Sequence, residues 1–347
     1  MKFFIPGGAG YIGTHIAYML IDEGHDVVIL DNFSNSSISS IHALEKLVNK
    51  NITFYKGDIC DDEILSQIFI DHNFDAVIHL AALKSVSESI SNPKDYFRNN
   101  FEGTLCLLNA METYNLKNII FSSSATIYGI PKYLPIDESH PLSSINPYAE
   151  TKLRIEKALN DLAKNDDSWK IVSLRYFNPV GAHGSGMIGE NPCDIPNNIM
   201  PYIVNVANKE LPYINIFGKN YETNDGTGVR DYIHVMDLAE SHLLALNFLG
   251  IKTVNHEISI LDNKGFNAFN IGTGKGCSVL ELINIFQAVN DIEVPYKFAS
   301  RREGDVASCY ANVDMFNNTF KWKTKRTIED MCSSAWNFKI KQNEQKK

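Results

Sequence analysis

The chain has 347 residues, an apolar fraction of 44% and a formal net charge of −9. That length and composition predict a real core, with room for two domains or one α/β unit carrying a lobe. The negative balance argues against nonspecific binding to nucleic acid or anionic lipid, which needs a basic face. No apolar run approaches the ~20 residues that cross a bilayer. The opening Met1-Lys2-Phe3-Phe4-Ile5-Pro6 is too short an apolar stretch for an export signal. A soluble, cytoplasmic protein is expected. Cys60, Cys106, Cys193, Cys277, Cys309 and Cys332 lie far apart, without a Cys-x-x-Cys pair, so reduced thiols are expected. The histidines show no ligand spacing and no metal is expected. His256-Glu257 opens like a zinc-protease motif but lacks its second histidine.

Short apolar runs at 2–6, 26–30, 52–56, 76–80, 118–122 and 170–176 read as strands. Segments of helical period follow them, at 13–23, 61–72, 96–114 and 148–164. Continuous apolar strands alternating with helices predict a parallel sheet covered on both faces. The expected class is therefore α/β, a doubly wound (Rossmann) parallel sheet. Its ligand belongs at the carboxyl ends of the strands. Beyond residue 177, Pro179, Gly181, Gly184, Gly186, Gly189 and Pro192 crowd one stretch, which reads as a functional loop. A second, smaller mixed α/β lobe follows. The expected division is 1–177 for the nucleotide domain, with 228–250 returning to it, and 178–347 for the substrate lobe. The polar stretch 255–267 reads as a surface insertion.

Three signals occur in order. Gly7-Gly8-Ala9-Gly10-Tyr11-Ile12-Gly13 joins the first strand to the first helix. Gly7 permits the tight turn, Gly10 lets backbone approach a pyrophosphate, and Gly13 lets helix and strand pack closely. The helix N-terminus, with Tyr11 and Ile12, offers free N–H groups and a positive dipole end. Asp31 ends the second strand about 21 residues beyond Gly10, where a carboxylate accepts from an adenosine ribose and repels a 2′-phosphate. NAD is the expected cofactor. Ser122-Ser123-Ser124 closes the fifth strand. Tyr148 and Lys152 then stand one helical turn apart on one face. A lysine cation there is expected to lower the pKa of the phenol and make it a usable base. Gly272-Thr273-Gly274-Lys275-Gly276 lacks phosphate-loop spacing and reads as a turn before a helix near Ser278.

Taken together, several runs carry a family resemblance. They are the glycine loop, Phe121-Ser122-Ser123-Ser124-Ala125-Thr126-Ile127-Tyr128-Gly129, Asn146-Pro147-Tyr148-Ala149-Glu150-Thr151-Lys152, Arg175-Tyr176-Phe177-Asn178-Pro179-Val180-Gly181-Ala182, the segment 226–237, and Arg301-Arg302-Glu303-Gly304-Asp305. Over nearly its whole length the chain resembles the UDP-glucose (UDP-galactose) 4-epimerases, extended members of the short-chain dehydrogenase/reductase family.

The resemblance implies reversible epimerisation at C4 of a UDP-hexose through a 4-keto sugar. Tyr148 would be the acid/base, Lys152 its electrostatic partner, and Ser124 the hydroxyl on the reacting sugar oxygen. Asn32, Asp58, Ile59, Lys84, Asn99 and Tyr176 would join the glycine loop and Asp31 around NAD. Lys84 and Ser124 would also face the sugar, with Phe177. Asn178, Asn198, Phe217, Arg230, Tyr232, Arg302 and Asp305 would hold the UDP half. Cys309 lies four residues after Asp305, where some members carry a tyrosine. The smaller side chain leaves space for an N-acetyl group, so UDP-GlcNAc and UDP-GalNAc are further expected substrates. A homodimer through the helices at 96–114 and 148–164 is implied too.

Two rivals compete with this reading. A 4,6-dehydratase of the same fold would carry Asp-Glu after the active-site hydroxyl, where Ala125 and Thr126 stand. A catalytically silent NAD-binding sensor would have lost Ser124, Tyr148 or Lys152, and all three are present.

Overall fold

The computed structural model describes residues 1–192, 196, 198–256, 258, 263–302 and 304–345. Cys193, Glu257, Glu303 and the middle of the 255–267 stretch lie outside the described residues. The strands are β1 Lys2–Pro6, β2 Asp26–Asp31, β3 Thr53–Lys56, β4 Ala76–His79, β5 Asn118–Ser124, β6 Lys170–Tyr176, β7 Asn178–Val180, β8 Ile214–Phe217, β9 Val229–His234, β10 Gly265–Ile271, β11 Gly276–Ser278, β12 Tyr296–Ala299 and β13 Ser308–Cys309.

Seven of them form one parallel sheet in the order β10-β6-β5-β4-β1-β2-β3. The chain order reverses between β4 and β1, so a crevice opens at their carboxyl ends. Both sheet faces are covered, and the side-chain alternation of each strand divides its residues between two cores. Phe3, Ile5, Ile29 and Val172 enter one core. Phe4, Val28, Ile119 and Ile171 enter the other. Each such buried side chain contributes about 1.5–3 kcal/mol over leaving it in water. The helix Val235–Phe248 packs Leu238, Ala239 and Leu243 into the first core beside Ile16 and Leu20.

One expectation needs correcting. Gly265, Phe266 and Asn267, read as the end of a polar insertion, are the start of β10, which extends the sheet beyond β6. The strand is hard to see in sequence because Asn267 and Asn270 interrupt its apolar run. Asn270 is fully buried but satisfied, accepting from the Tyr128 hydroxyl at 2.7 Å and donating to the Ile136 carbonyl at 2.9 Å.

The second, smaller lobe has its own core, including Met200, Ile203, Ile216, Tyr232, Leu282, Phe286 and Met331. Around it lie the β11-β9-β13 sheet, with β7 paired to β9, and the β12-β8 pair. Ser278 caps the helix Val279–Asn290 in a reciprocal box with Glu281. Among the described residues, no helix is long and apolar enough to cross a membrane.

Candidate active site

The glycine loop turns at the crevice. Gly7 adopts φ +81°, and a Cβ there would sit 2.5 Å from the Ala81 nitrogen. Gly13 is equally confined, since a Cβ would lie 2.6 Å from the Gly8 Cα. Only backbone fits at these two points, which packs the loop against Leu80 and Ala81 just after β4 and the first turn of the Tyr11–Asp22 helix against the loop. Gly10 caps that helix without a side-chain hydrogen bond, leaving its amino end bare for an anion. Asp31 locks the loop from the side. Its Oδ2 accepts from the Ala9 N–H at 3.0 Å, and its Oδ1 from the Phe33 N–H and the Ser36 hydroxyl. A carboxylate has about four acceptor positions, so capacity remains for a ribose hydroxyl. This cradle opens into a cavity of about 1270 Å³, large beside the ~300–1,000 Å³ of most ligand pockets. The bare helix end, the close-packed glycines and the acidic strand end fit NAD.

Beyond the cradle lies the reacting centre. The helix Pro147–Asn165 is capped by Asn146, whose side chain accepts from the Ala149 N–H. It carries Tyr148 and Lys152 to the end of β5. The Lys152 Nζ donates to the Ser122 carbonyl at 2.7 Å and lies 6.0 Å from the centre of the Tyr148 ring. Ser124 accepts from the Thr126 N–H and hydroxyl, and its own hydroxyl faces Tyr148.

Burial governs the electrostatics here. It lowers Lys152 to about 7, with Glu156 opposing. It raises the Tyr148 pKa, with the Ser124 hydrogen bond pulling the other way. The expectation that Lys152 depresses the phenol is corrected for the protein alone: burial raises the Tyr148 pKa, and the opposing pull comes from Ser124. The far end of the cavity holds Arg230 and Asp305, paired at 3.6 Å, and Arg302, whose guanidinium stacks 3.8 Å from the Phe217 ring centre. Cys309 lines the same wall as a neutral thiol, burial pushing it up to about 11.

A family model described as GDP-mannose 4,6 dehydratase matches residues 4–335. The UDP-glucose 4-epimerase of Bacillus subtilis is 47% identical over 336 residues, covering 97% of this chain and 96% of that protein. The crystal structure of UDP-glucose 4-epimerase from Bifidobacterium longum, in complex with NAD+ and UDP, superposes with a TM-score of 0.93. The two are 43% identical, with 99% of each chain covered. A second such structure, from Stenotrophomonas maltophila with NAD and formylated UDP-arabinopyranose, gives a TM-score of 0.93 at 40% identity, again covering 99% of each chain.

The chain belongs to the UDP-glucose 4-epimerase family.

Within this epimerase fold, most of the residues singled out from sequence meet in one cavity. Of the residues expected around NAD, Gly7, Gly10, Tyr11, Ile12, Gly13, Asp31, Asn32, Ile59, Lys84, Asn99 and Tyr176 line it. Ser124, Tyr148, Lys152, Phe177, Asn178, Asn198, Arg230, Arg302, Asp305 and Cys309 line it too. Three do not line it. The Asp58 carboxylate accepts from the Cys60 N–H at 2.9 Å and from the Asn32 amide at 3.3 Å. Phe217 sits behind Arg302. Tyr232 is 3% exposed and packs in the core of the substrate side.

Two polar residues escaped the sequence reading. Asn100 lies in a π-helical stretch, Phe97–Glu102, inside the helix expected at 96–114. Such wide turns gather at functional sites. Its side chain bonds both the N–H and the carbonyl of Leu83, and donates to the Thr151 hydroxyl, tying the Lys84 loop to the Tyr148 helix. The other is Glu190. Its oxygen Oε1 accepts from Lys84 at 3.1 Å and from Asn198 at 2.6 Å.

Proposed function

We propose that this protein interconverts UDP-galactose and UDP-glucose at C4 through a transient 4-keto sugar. The observation that carries the reading is the convergence of Ser124, Tyr148 and Lys152 in a cavity with a dinucleotide cradle at one end and Arg230, Arg302 and Asp305 at the other. NAD, when bound, supplies a hydride acceptor that returns the hydride, and brings a positive charge to the pocket. Tyr148 as phenolate takes the proton from the sugar O4 and later gives it back. Ser124 holds that oxygen, and the Lys152 cation stabilises the phenolate. Arg230 and Arg302 suit diphosphate oxygens, and Asp305 can accept from the uridine ribose. That anchoring keeps the keto sugar from escaping while it turns, because the binding energy sits away from C4. Asn32, Asp58, Ile59, Lys84, Asn99 and Tyr176 complete the NAD side; Phe177, Asn178, Asn198, Phe217 and Tyr232 complete the substrate side.

The division of labour follows the chain: 1–177 with 228–250 for NAD, and 178–347 for the UDP-sugar. β10 is a further return to the sheet. Turnover of UDP-GlcNAc and UDP-GalNAc belongs to the same reading, supported by the small Cys309 side chain on the cavity wall. A cytoplasmic homodimer is proposed as well. The 37% exposure of Leu105 on the helix Gly103–Thr113 supports the dimer, and free thiols at the five described cysteines support a reducing compartment.

Purified protein, given no oxidant, should convert UDP-galactose to UDP-glucose and release NAD on denaturation. Bound NAD without any turnover would reject the reading. UDP-GlcNAc should also be converted, and Cys309→Tyr should remove only that activity; equal loss of both would reject the role of Cys309.

A further inference from the structure

Glu190 sits on the 181–192 loop with its side chain 10% exposed. Its carboxylate lines the main cavity and meets two walls at once. Lys84 comes from the loop after β4, on the sheet side. Asn198 comes from the substrate side, immediately before the helix Ile199–Ala207. Both donate to the same oxygen.

Two further observations make this contact more than a surface ion pair. Asn198 is the N-cap of its helix, a position where asparagine normally bonds the first-turn amides. Here its side chain makes no capping bond and is given to Glu190 instead. An ionised carboxylate can only accept, so it selects the amide nitrogen of Asn198 and turns the amide oxygen away. The loop itself is fixed from behind by the helix Ile328–Gln345. Ser334 accepts from the Ala182 N–H, Asn337 donates to the Gly184 carbonyl, and the Phe338 ring packs where a Gly189 Cβ would lie.

We propose that Glu190 is a positioning residue: its carboxylate fixes Lys84 and Asn198, from opposite walls of the cavity, in place for the UDP-sugar. The inference rests on the epimerase reading and deepens it. Glu190 has no hydrogen bond or ion pair to Arg230, Arg302 or Asp305, so its reach to the UDP end runs through Asn198 alone.

The test compares wild type, Glu190→Ala, Glu190→Gln, Asn198→Ala and the Glu190→Ala/Asn198→Ala pair. Readouts are kcat and KM for UDP-galactose, the affinity for UDP alone, and bound NAD. Misplaced groups at a reacting centre can cost about 100-fold, and Glu190→Ala should lower kcat/KM by about that factor. UDP affinity should fall in Glu190→Ala no further than it falls in Asn198→Ala, and NAD content should hold. Glu190→Gln, which keeps an acceptor, should lose about tenfold less than alanine, and it carries the test if alanine fails to fold. The double variant should lose no more than about threefold beyond Asn198→Ala, the non-additivity of groups acting as one unit. If wild type turns over UDP-galactose while Glu190→Ala stays within about threefold of it, this inference alone falls. A loss of UDP affinity beyond that of Asn198→Ala, or multiplying losses in the double variant, also overturns it. An inactive wild type overturns the epimerase reading and this inference together.

Discussion

Tyr148 and Lys152 share a pocket that disfavours charge on both, so each is pushed toward its neutral form. Catalysis needs the opposite pairing, phenolate beside ammonium. The pocket therefore depends on added positive charge to complete the base. Tyr148→Phe removes the ionisable oxygen but keeps the ring. NAD content should be unchanged, while kcat falls by about 10²–10⁴, the usual worth of a positioned acid/base. Near-normal turnover, measured as UDP-glucose formed from UDP-galactose, would exclude Tyr148 from that role. These two residues were legible in sequence because their spacing is local: one helical turn sets their relation. Glu190 was not, because its meaning lies in partners 106 and 8 residues away that only the fold brings together. The crowding of glycine and proline around it marked the loop as functional but not which side chain acts.

The glycine loop shows how little latitude an element has at the crevice. At Gly7 the left-handed backbone and the 2.5 Å approach to Ala81 both forbid a side chain. Gly7→Ala must shift β4 or unwind the turn, a strain of roughly 1–3 kcal/mol. The expected outcome is a lower melting temperature and loss of co-purifying NAD; an alanine variant with full NAD content would contradict the cradle. Strands β1 to β6 matched their apolar runs closely; all but the exposed edge strand β3 are largely buried on both faces, and such strands are continuous in sequence. The wide turn at Phe97–Glu102 and strand β10 were hidden for different reasons. The first is a change in hydrogen-bond register that leaves the apolar period nearly intact. The second carries Asn270, whose partners, Tyr128 and Ile136, lie more than a hundred residues away.

Across the whole molecule, the interior holds histidines that burial keeps uncharged. His15 and His242 are lowered to about 4, and His79 and His234 to about 3, desolvation leading in each case. The unfolded chain takes up these protons near pH 6.5 and the folded chain does not, so the unfolded state binds more protons below that point. Stability is present above pH 6.5 and is lost as pH falls toward 4, each group contributing up to about 1.4 kcal/mol per pH unit. Glu138, Asp231 and Asp237, raised by burial, act in the other direction at the acid end. Urea midpoints should therefore drop between pH 7 and pH 5; a flat profile would contradict the uncharged interior. Spatial order and chain order also part company at β10. The outer margin of β6 receives its neighbour only after 88 intervening residues have emerged (177–264), and a ribosome-bound chain halted short of Gly265 presents that margin unpaired. Arrested or truncated forms would carry a sticky flank the finished enzyme never shows, so the interval of synthesis between β6 and β10 is when this protein most needs a chaperone.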